Sequence, residues 1–361
     1  MEPFVPKKLP LKGQLDPMYY YMKLAEVSSN LAKYQTILNT AKINADLLLN
    51  PLIFKEAVQS TRIEGTQATL DEVLEAEVDE KEGKNDVKEV LNYYHALKRG
   101  EEALGRLPLC TRLIKEIHEI VMSRGVRGSN QDPGRYRAVQ NYVGPEGCTI
   151  KTATYIPPQP QLIEDYMSNL ERYINEPDDE RHPLVRAAII HAQFETIHPF
   201  LDGNGRVGRI LIPLYLYSQG VLVSPNLFIS EELERDKYKY YGLLNGTRFK
   251  ENWNEWIAFF LAAVDRQALR GFELVEDINE LYERELEQVG KLISSSNVIN
   301  LVNAIFQYPI FTVKRISQLT GISYSSCRRY LNRLVEEDIL FSDNKTRGRK
   351  YYFYNLLDLI R

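Results

Sequence analysis

Residues 184–219 read LVRAAIIHAQFETIHPFLDGNGRVGRILIPLYLYSQ, and this stretch decides the fold. LVRAAIIHAQFETI (184–197) is apolar on most faces, which predicts a buried central helix. RVGRILIPLYLYSQ (206–219) predicts a second one, ending at Gly220, with Pro213 removing one backbone donor from its interior. Between them lies His198-Pro199-Phe200-Leu201-Asp202-Gly203-Asn204-Gly205, a polar loop braced by core on both sides.

The residue types in that loop point to phosphate chemistry. Gly203 and Gly205 allow backbone N–H groups to turn toward a ligand, and the following helix adds its positive end, so the two form an anion site. Arg206 and Arg209 stand at i, i+3 on the first turn and offer two forked donors to phosphate oxygens. Asp202 is a carboxylate suited to a divalent cation bridging phosphates. His198 titrates near neutrality in its ordinary state and suits a general base. Base, metal ligand, anion cradle and two arginines within twelve residues describe phosphoryl or nucleotidyl transfer. Other readings fit less well. GNGRVG matches the dinucleotide fingerprint but no strand precedes it. An EF-hand loop from Asp202 needs Glu at its twelfth position, where Pro213 stands. His191 and His198 lack the spacing of a zinc protease.

Outward from the loop, 361 residues allow two or three domains. A net charge of −4 argues against a protein that coats polyanions, so any nucleic-acid contact must be a local patch. Three scattered cysteines, Cys110, Cys148 and Cys327, favour neither a disulfide framework nor a zinc cluster. No long apolar run is present, and the expectation is a cytoplasmic protein with no membrane partner. Residues 1–15 read as an extended arm. Asp16-Pro17 and Asn50-Pro51 each read as a helix start. Thr69 with Glu72 forms a capping box, and the charged stretch 77–89 reads as a solvated turn. Residues 134–161 lack helical periodicity and predict a loop with a short hairpin. Residues 271–293 read as a charged connecting helix. VKRISQLT (313–320), Gly321-Ile322 and SYSSCRRYLNRLVEEDIL resemble a helix-turn-helix, and FSDNKTRGRKYYFYN resembles its β-wing.

HPFLDGNGRVGR matches the Fic family motif, H-x-F-x-[DE]-G-N-G-R-x-x-R, at every specified position. PGRYRAVQNYVG, TATYIPPQP, YKYYGLL and NWNEWIAFFLAAV resemble the same family in the same order. The resemblance implies a mainly α fold: an N-terminal helical region (1–104, inhibitory helix about 51–65), a helical Fic core with a β-hairpin flap (105–266), a connecting helix (267–290) and a winged helix-turn-helix domain (291–361). It also implies a protein adenylyltransferase moving AMP from ATP to a Ser, Thr or Tyr hydroxyl of a target protein, with the chain itself among the candidate targets. In that reading His198 is the catalytic base and Asp202 holds Mg²⁺. Gly203, Asn204, Gly205, Arg206, Val207, Gly208 and Arg209 bind the nucleotide, with Asn204 and its neighbouring amides lining the anion hole. Phe200 packs beneath the loop, and Tyr240 and Tyr241 stand near the adenosine. The flap, Thr152, Ala153, Thr154 and Tyr155, registers the target chain.

Ser60-Thr61-Arg62-Ile63-Glu64-Gly65 resembles the family's inhibitory motif, [ST]-x-x-x-E-[GN]. It implies that Glu64, with Ser60, occupies Arg209 and denies it to the γ-phosphate. Another nucleotidyl donor, removal of AMP by the same site, and a DNA-binding regulator using the core as a nucleotide sensor stay open as alternatives. Arg328, Arg329, Arg333, Lys345, Arg347, Arg349 and Lys350 form a local basic patch consistent with DNA phosphates or with a protein-interaction module. Apolar helices such as YMKLAEVSSNLAKYQTIL suit a homodimer interface as readily as a core.

Overall fold

The computed structural model describes residues 2–13, 15–79, 84–123, 125–127, 132–145, 147–176, 179–343 and 345–361. The helices are α1 (Tyr21–Thr40), α2 (Ala45–Ile63), α3 (Leu70–Asp79), α4 (Asn85–Leu104), α5 (Thr111–Val121), α6 (Ile163–Asn175), α7 (Pro183–Ile197) and α8 (Asn204–Ser218). They continue with α9 (Ser230–Arg235), α10 (Lys237–Phe249), α11 (Trp253–Leu292), α12 (Val298–Gln307), α13 (Val313–Thr320), α14 (Tyr324–Glu336) and α15 (Tyr354–Ile360). Strands β1 (Ile310–Thr312), β2 (Phe341–Ser342) and β3 (Lys350–Tyr352) form one antiparallel sheet in the order β1-β3-β2. The protein is mainly α, as the sequence predicts.

Two compact units share the chain: one takes residues 1–31, 59–66 and 92–268, the other residues 32–58, 67–91 and 269–361. In the first, α7 is the centre. Every side chain from Leu184 to Ile197 is buried, because α6, α8 and α10 pack around it. Trp256 closes this core with no exposed surface and donates its indole N–H to the Ala188 carbonyl at 2.8 Å. A helix apolar all round is stable only when covered on all sides, so the loop that follows α7 begins from a fixed point.

In the second unit, α13, α14, β2 and β3 follow in the predicted helix-turn-helix-hairpin order, with Gly321 (φ 70°) ending α13. Helix α3 packs on β1, and its Glu75 pairs with Lys350 at 2.8 Å. Lys350 is therefore buried and neutralised rather than displayed on a basic wing. Lys345 pairs with Asp343 at 3.1 Å, and Arg333 with Glu337 at 3.0 Å.

Local expectations fare unevenly. Asp16 caps a 3-10 turn at Pro17–Tyr19, accepting from the Met18 N–H, and α1 follows. The Thr69–Glu72 box is reciprocal, at 3.0 and 3.2 Å. Asn50-Pro51 is not a helix start: α2 begins five residues earlier and carries Pro51 inside it. There the Asn50 amide donates to the Gln307 carbonyl at 3.2 Å instead of capping. The charged connection at 271–293 is continuous with α11, a single helix of 40 residues. Part of the charged turn expected at 77–89 lies outside the described residues. Among the described residues no helix is long and apolar enough to cross a membrane.

Candidate active site

Helix α7 ends at His198, which adopts the left-handed conformation (φ 49°, ψ 59°) while its N–H bonds the Phe194 carbonyl at 2.9 Å. A non-glycine residue there is uncommon and must be held in place. Arg137 holds it, with Nε donating to the His198 carbonyl at 3.0 Å, its own N–H to Pro199 at 2.9 Å, and Nη2 to Pro158 at 2.6 Å. Burial pushes this guanidinium down to about 10. Asn204 closes the loop from the other side: Oδ1 accepts from the Phe200 N–H and Nδ2 donates to the Phe200 carbonyl, both at 2.9 Å. Its side-chain amide is thus spent on the loop itself, which leaves anion binding to backbone amides. Phe200 is fully buried and stacks on His118 at 3.7 Å between centroids. His118 Nδ1 accepts from Gly134, so Nε2 carries the proton to the Asp202 carbonyl at 3.0 Å.

Helix α8 then starts at Gly203 (φ 76°), where a Cβ would come within 2.7 Å of Met122 Sδ. Asp202 Oδ1 accepts the Gly203 N–H at 2.6 Å and lies 3.6 Å from Arg206 Nη2. The Asp202 side chain is 38% exposed and that of Arg206 only 1%. Among the described residues no three metal-ligating side chains converge. One open carboxylate nevertheless fits Mg²⁺, which takes its remaining oxygens from phosphates and water.

The predicted inhibitory residues arrive at the same place. Glu64 Oε1 sits 2.6 Å from Arg209 Nη2. Arg209 also donates Nε to Ser60 Oγ at 2.8 Å and Nη2 to the Ser60 carbonyl at 3.0 Å. A Cβ on Gly205 would lie 2.2 Å from Glu64 Oε1, so glycine is what admits the carboxylate to the amino end of α8. Burial alone would raise the Glu64 carboxyl, but Arg209, and beyond it Arg206 and Lys237, hold it below the usual carboxylate value. The end of α2 is tied down further: Lys237 Nζ donates to the Ile63 carbonyl, and Arg127 Nη2 to that of Glu64 at 2.9 Å.

Other predicted residues divide. Val207 is wholly buried, so its side chain belongs to the core. Gly208 makes room for the Glu195 carboxylate, which a Cβ there would meet at 2.4 Å. Tyr240 is buried, with its hydroxyl 2.9 Å from His191 Nε2; Tyr241 stands beside it, 5.0 Å between rings, and is half-buried. The flap is an isolated bridge, Val143↔Tyr155, rather than a ladder. Thr152 and Thr154 are exposed on it, whereas Ala153 and Tyr155 are buried. Tyr155 faces inward, its hydroxyl donating to the Thr196 carbonyl at 2.5 Å.

Sequence reasoning missed Arg137, Arg248, Arg127, Lys237 and Glu195. Arg248 donates to the Glu195 carbonyl at 2.9 Å and to Thr196 Oγ1 at 3.1 Å, and lies 3.9 Å over the Tyr155 ring. His198 sits among these cations. Desolvation first, then Arg248 and Arg137, push its imidazole down to about 3, which keeps it neutral and able to accept a proton.

Residues 108–216 match the Fic/DOC family, and residues 21–102 match the Fic/DOC family N-terminal region. The chain is a member of the Fic/DOC family. Protein adenylyltransferase fic-1 of Caenorhabditis briggsae is 34% identical over 131 residues, 34% of this chain and 24% of that protein. Protein adenylyltransferase Fic of Drosophila grimshawi is 30% identical over 202 residues, 53% of this chain and 38% of that one. The chain thus spans well under half the length of these curated relatives. A Fic family protein from Desulfovibrio desulfuricans G20 shares the fold, with a TM-score of 0.56 at 20% identity over 97% of this chain and 98% of that one.

Arg137 is the Fic loop's main tether, and its carbonyl partners have no other described side-chain cation. Replacing it, Arg137→Met, leaves them buried and unpaired and is expected to lower unfolding free energy by about 2–3 kcal/mol. Urea denaturation checks this; an unchanged midpoint contradicts the assignment.

Proposed function

We propose that the chain is a protein adenylyltransferase that transfers AMP from ATP to a hydroxyl of a protein, restrained by its own Glu64. The observation that carries the reading is the seat of Glu64. A carboxylate at the amino end of α8, paired with Arg209 at 2.6 Å, marks where an anion is recognised, and the site spends its own acid to fill it. The neutral imidazole of His198 stands next to that position.

In this reading the amides at Gly203 and Gly205 and the guanidinium of Arg206 cradle the phosphates, and Arg209 turns to the γ-phosphate once Glu64 leaves. Asp202 is the carboxylate that would hold Mg²⁺, whose chemistry is to neutralise phosphate charge. His198 takes the proton of the incoming hydroxyl as its oxygen bonds the α-phosphorus and pyrophosphate departs. The exposed edge at Thr152 and Thr154 aligns the target, and Tyr241, rather than the buried Tyr240, meets the adenine base. We divide the chain as the sequence suggests: an N-terminal helical region, a catalytic core over 105–266 and a winged helix over 291–361.

The winged helix is read as a DNA contact of modest strength, since α3 acids already neutralise part of its face. Arg328 and Arg347 remain beside Lys314 around a groove of about 870 Å³. Binding to duplex DNA that weakens steeply between low and moderate salt supports this, and no binding at low salt removes it.

For the enzyme, Glu64→Gly is expected to raise AMP incorporation at least about tenfold, the equivalent of one charge-assisted hydrogen bond returned to the nucleotide. Adding His198→Ala is expected to abolish it. Label transfer from α-³²P-ATP, in the presence of Mg²⁺ and cell lysate, reads both. Equal incorporation with and without Glu64 contradicts the restraint, and incorporation surviving the loss of His198 contradicts its role as base.

A further inference from the structure

Glu195 is a buried acid that no step above uses. It lies in the last turn of α7, three residues before His198, with its side chain 8% exposed. Its Oε1 has no hydrogen-bond partner, and neither does His198 Nδ1. Both atoms are buried, and Glu195 Oε2 stands 3.9 Å from that Nδ1. Two unpaired polar atoms so close together are costly to leave apart, yet 3.9 Å is too long for a hydrogen bond. The backbone of His198 is fixed by Phe194 and Arg137, so only side-chain rotation separates the two groups.

We propose that Glu195 is the positioning acid of the catalytic imidazole: on activation its carboxylate accepts a hydrogen bond from Nδ1–H of His198, which keeps the ring proton on Nδ1 and leaves Nε2 bare to take the substrate proton. The inference rests on the adenylyltransferase reading of His198. Hydrogen bonding at one ring nitrogen decides the tautomer at the other, and neutral histidine without such a partner has no reason to keep Nε2 unprotonated.

The surroundings fit a contact made only in the active state. Helix α8 contributes Gly208, whose missing Cβ is what admits the Glu195 carboxylate. Charged and titratable groups face Glu195 from that helix and from two further elements: Arg209 on α8, Arg248 and Tyr240 on α10, and Glu64 after α2. Burial pushes Glu195 up to about 7, Arg209 and Arg248 pull it down, and Glu64 pushes it up. Withdrawal of Glu64 therefore favours the ionised carboxylate, the stronger acceptor. The competing acceptor for Nδ1–H is the Glu195 backbone carbonyl, which already receives Arg248 Nη2 at 2.9 Å.

The experiment uses the full chain carrying Glu64→Gly, with and without Glu195→Ala. Loss of the carboxylate is expected to lower kcat about 10- to 100-fold, the range for removing a partner that orients a histidine, with KM for ATP unchanged. Nitrogen-15 spectra of histidine-labelled protein are expected to show His198 moving from the Nδ1–H to the Nε2–H tautomer. Glu195→Met, which keeps most of the volume beside Gly208 but offers Nδ1–H no strong acceptor, carries the same spectral readout should the alanine variant fail to fold. An unchanged tautomer, or a kcat loss matched by the same rise in KM, overturns the proposal. Absence of AMP transfer in the Glu64→Gly parent itself overturns the adenylyltransferase reading instead.

Discussion

Arg209 decides what this site can do. Its side chain is 1% exposed, so each N–H it owns must find a partner inside the protein or on a ligand. Ser60 and Glu64 meet it with a hydroxyl, a carbonyl and a carboxylate. While these contacts hold, Nε and Nη2 have little to offer another acceptor. Such a pair does not loosen by fluctuation of an exposed side chain, because breaking it leaves a buried charge unpaired. The proposed restraint therefore depends on how firmly the end of α2 is seated, and Lys237 and Arg127 bind the carbonyls of Ile63 and Glu64.

The same economy governs the catalytic loop. Six residues between α7 and α8 carry an imidazole in a left-handed conformation, and side chains from elsewhere meet the carbonyls of His198, Phe200 and Asp202: Arg137, Asn141 and His118 respectively. In the adenylyltransferase reading, preorganisation of this kind fixes the proposed phosphate cradle before any nucleotide arrives. It also explains the neutral His198, since the cations that hold its backbone disfavour a charge on its ring.

Much of this was legible in the sequence, for physical reasons. Helices α7 and α8 announce themselves because most faces of each are apolar, and the loop between them is dense in residues with one chemical use. Glu64 was legible only beside that loop. Gly208 and Asn204 are expected at the nucleotide; in the structure Gly208 also admits Glu195 and the Asn204 side chain holds Phe200. Arg137 and Arg248 were not legible, since their partners are backbone carbonyls distant in sequence and carry no residue signature. Asn50-Pro51 misled because a local start signal yields to tertiary structure: Asn50 finds the Gln307 carbonyl, and α2 continues through Pro51. Lys350 misled in the same way, its charge answered by Glu75 from a helix 275 residues away in the chain.

The central claim, that Glu64 keeps Arg209 from the terminal phosphate, is tested most directly by calorimetry of ATP and ADP with Mg²⁺ on the wild-type chain and on Glu64→Gly. Only ATP carries the γ-phosphate that Arg209 would gain. The preference for ATP over ADP should widen by about tenfold in the variant, as one charge-assisted hydrogen bond implies. The same preference in both proteins would contradict it.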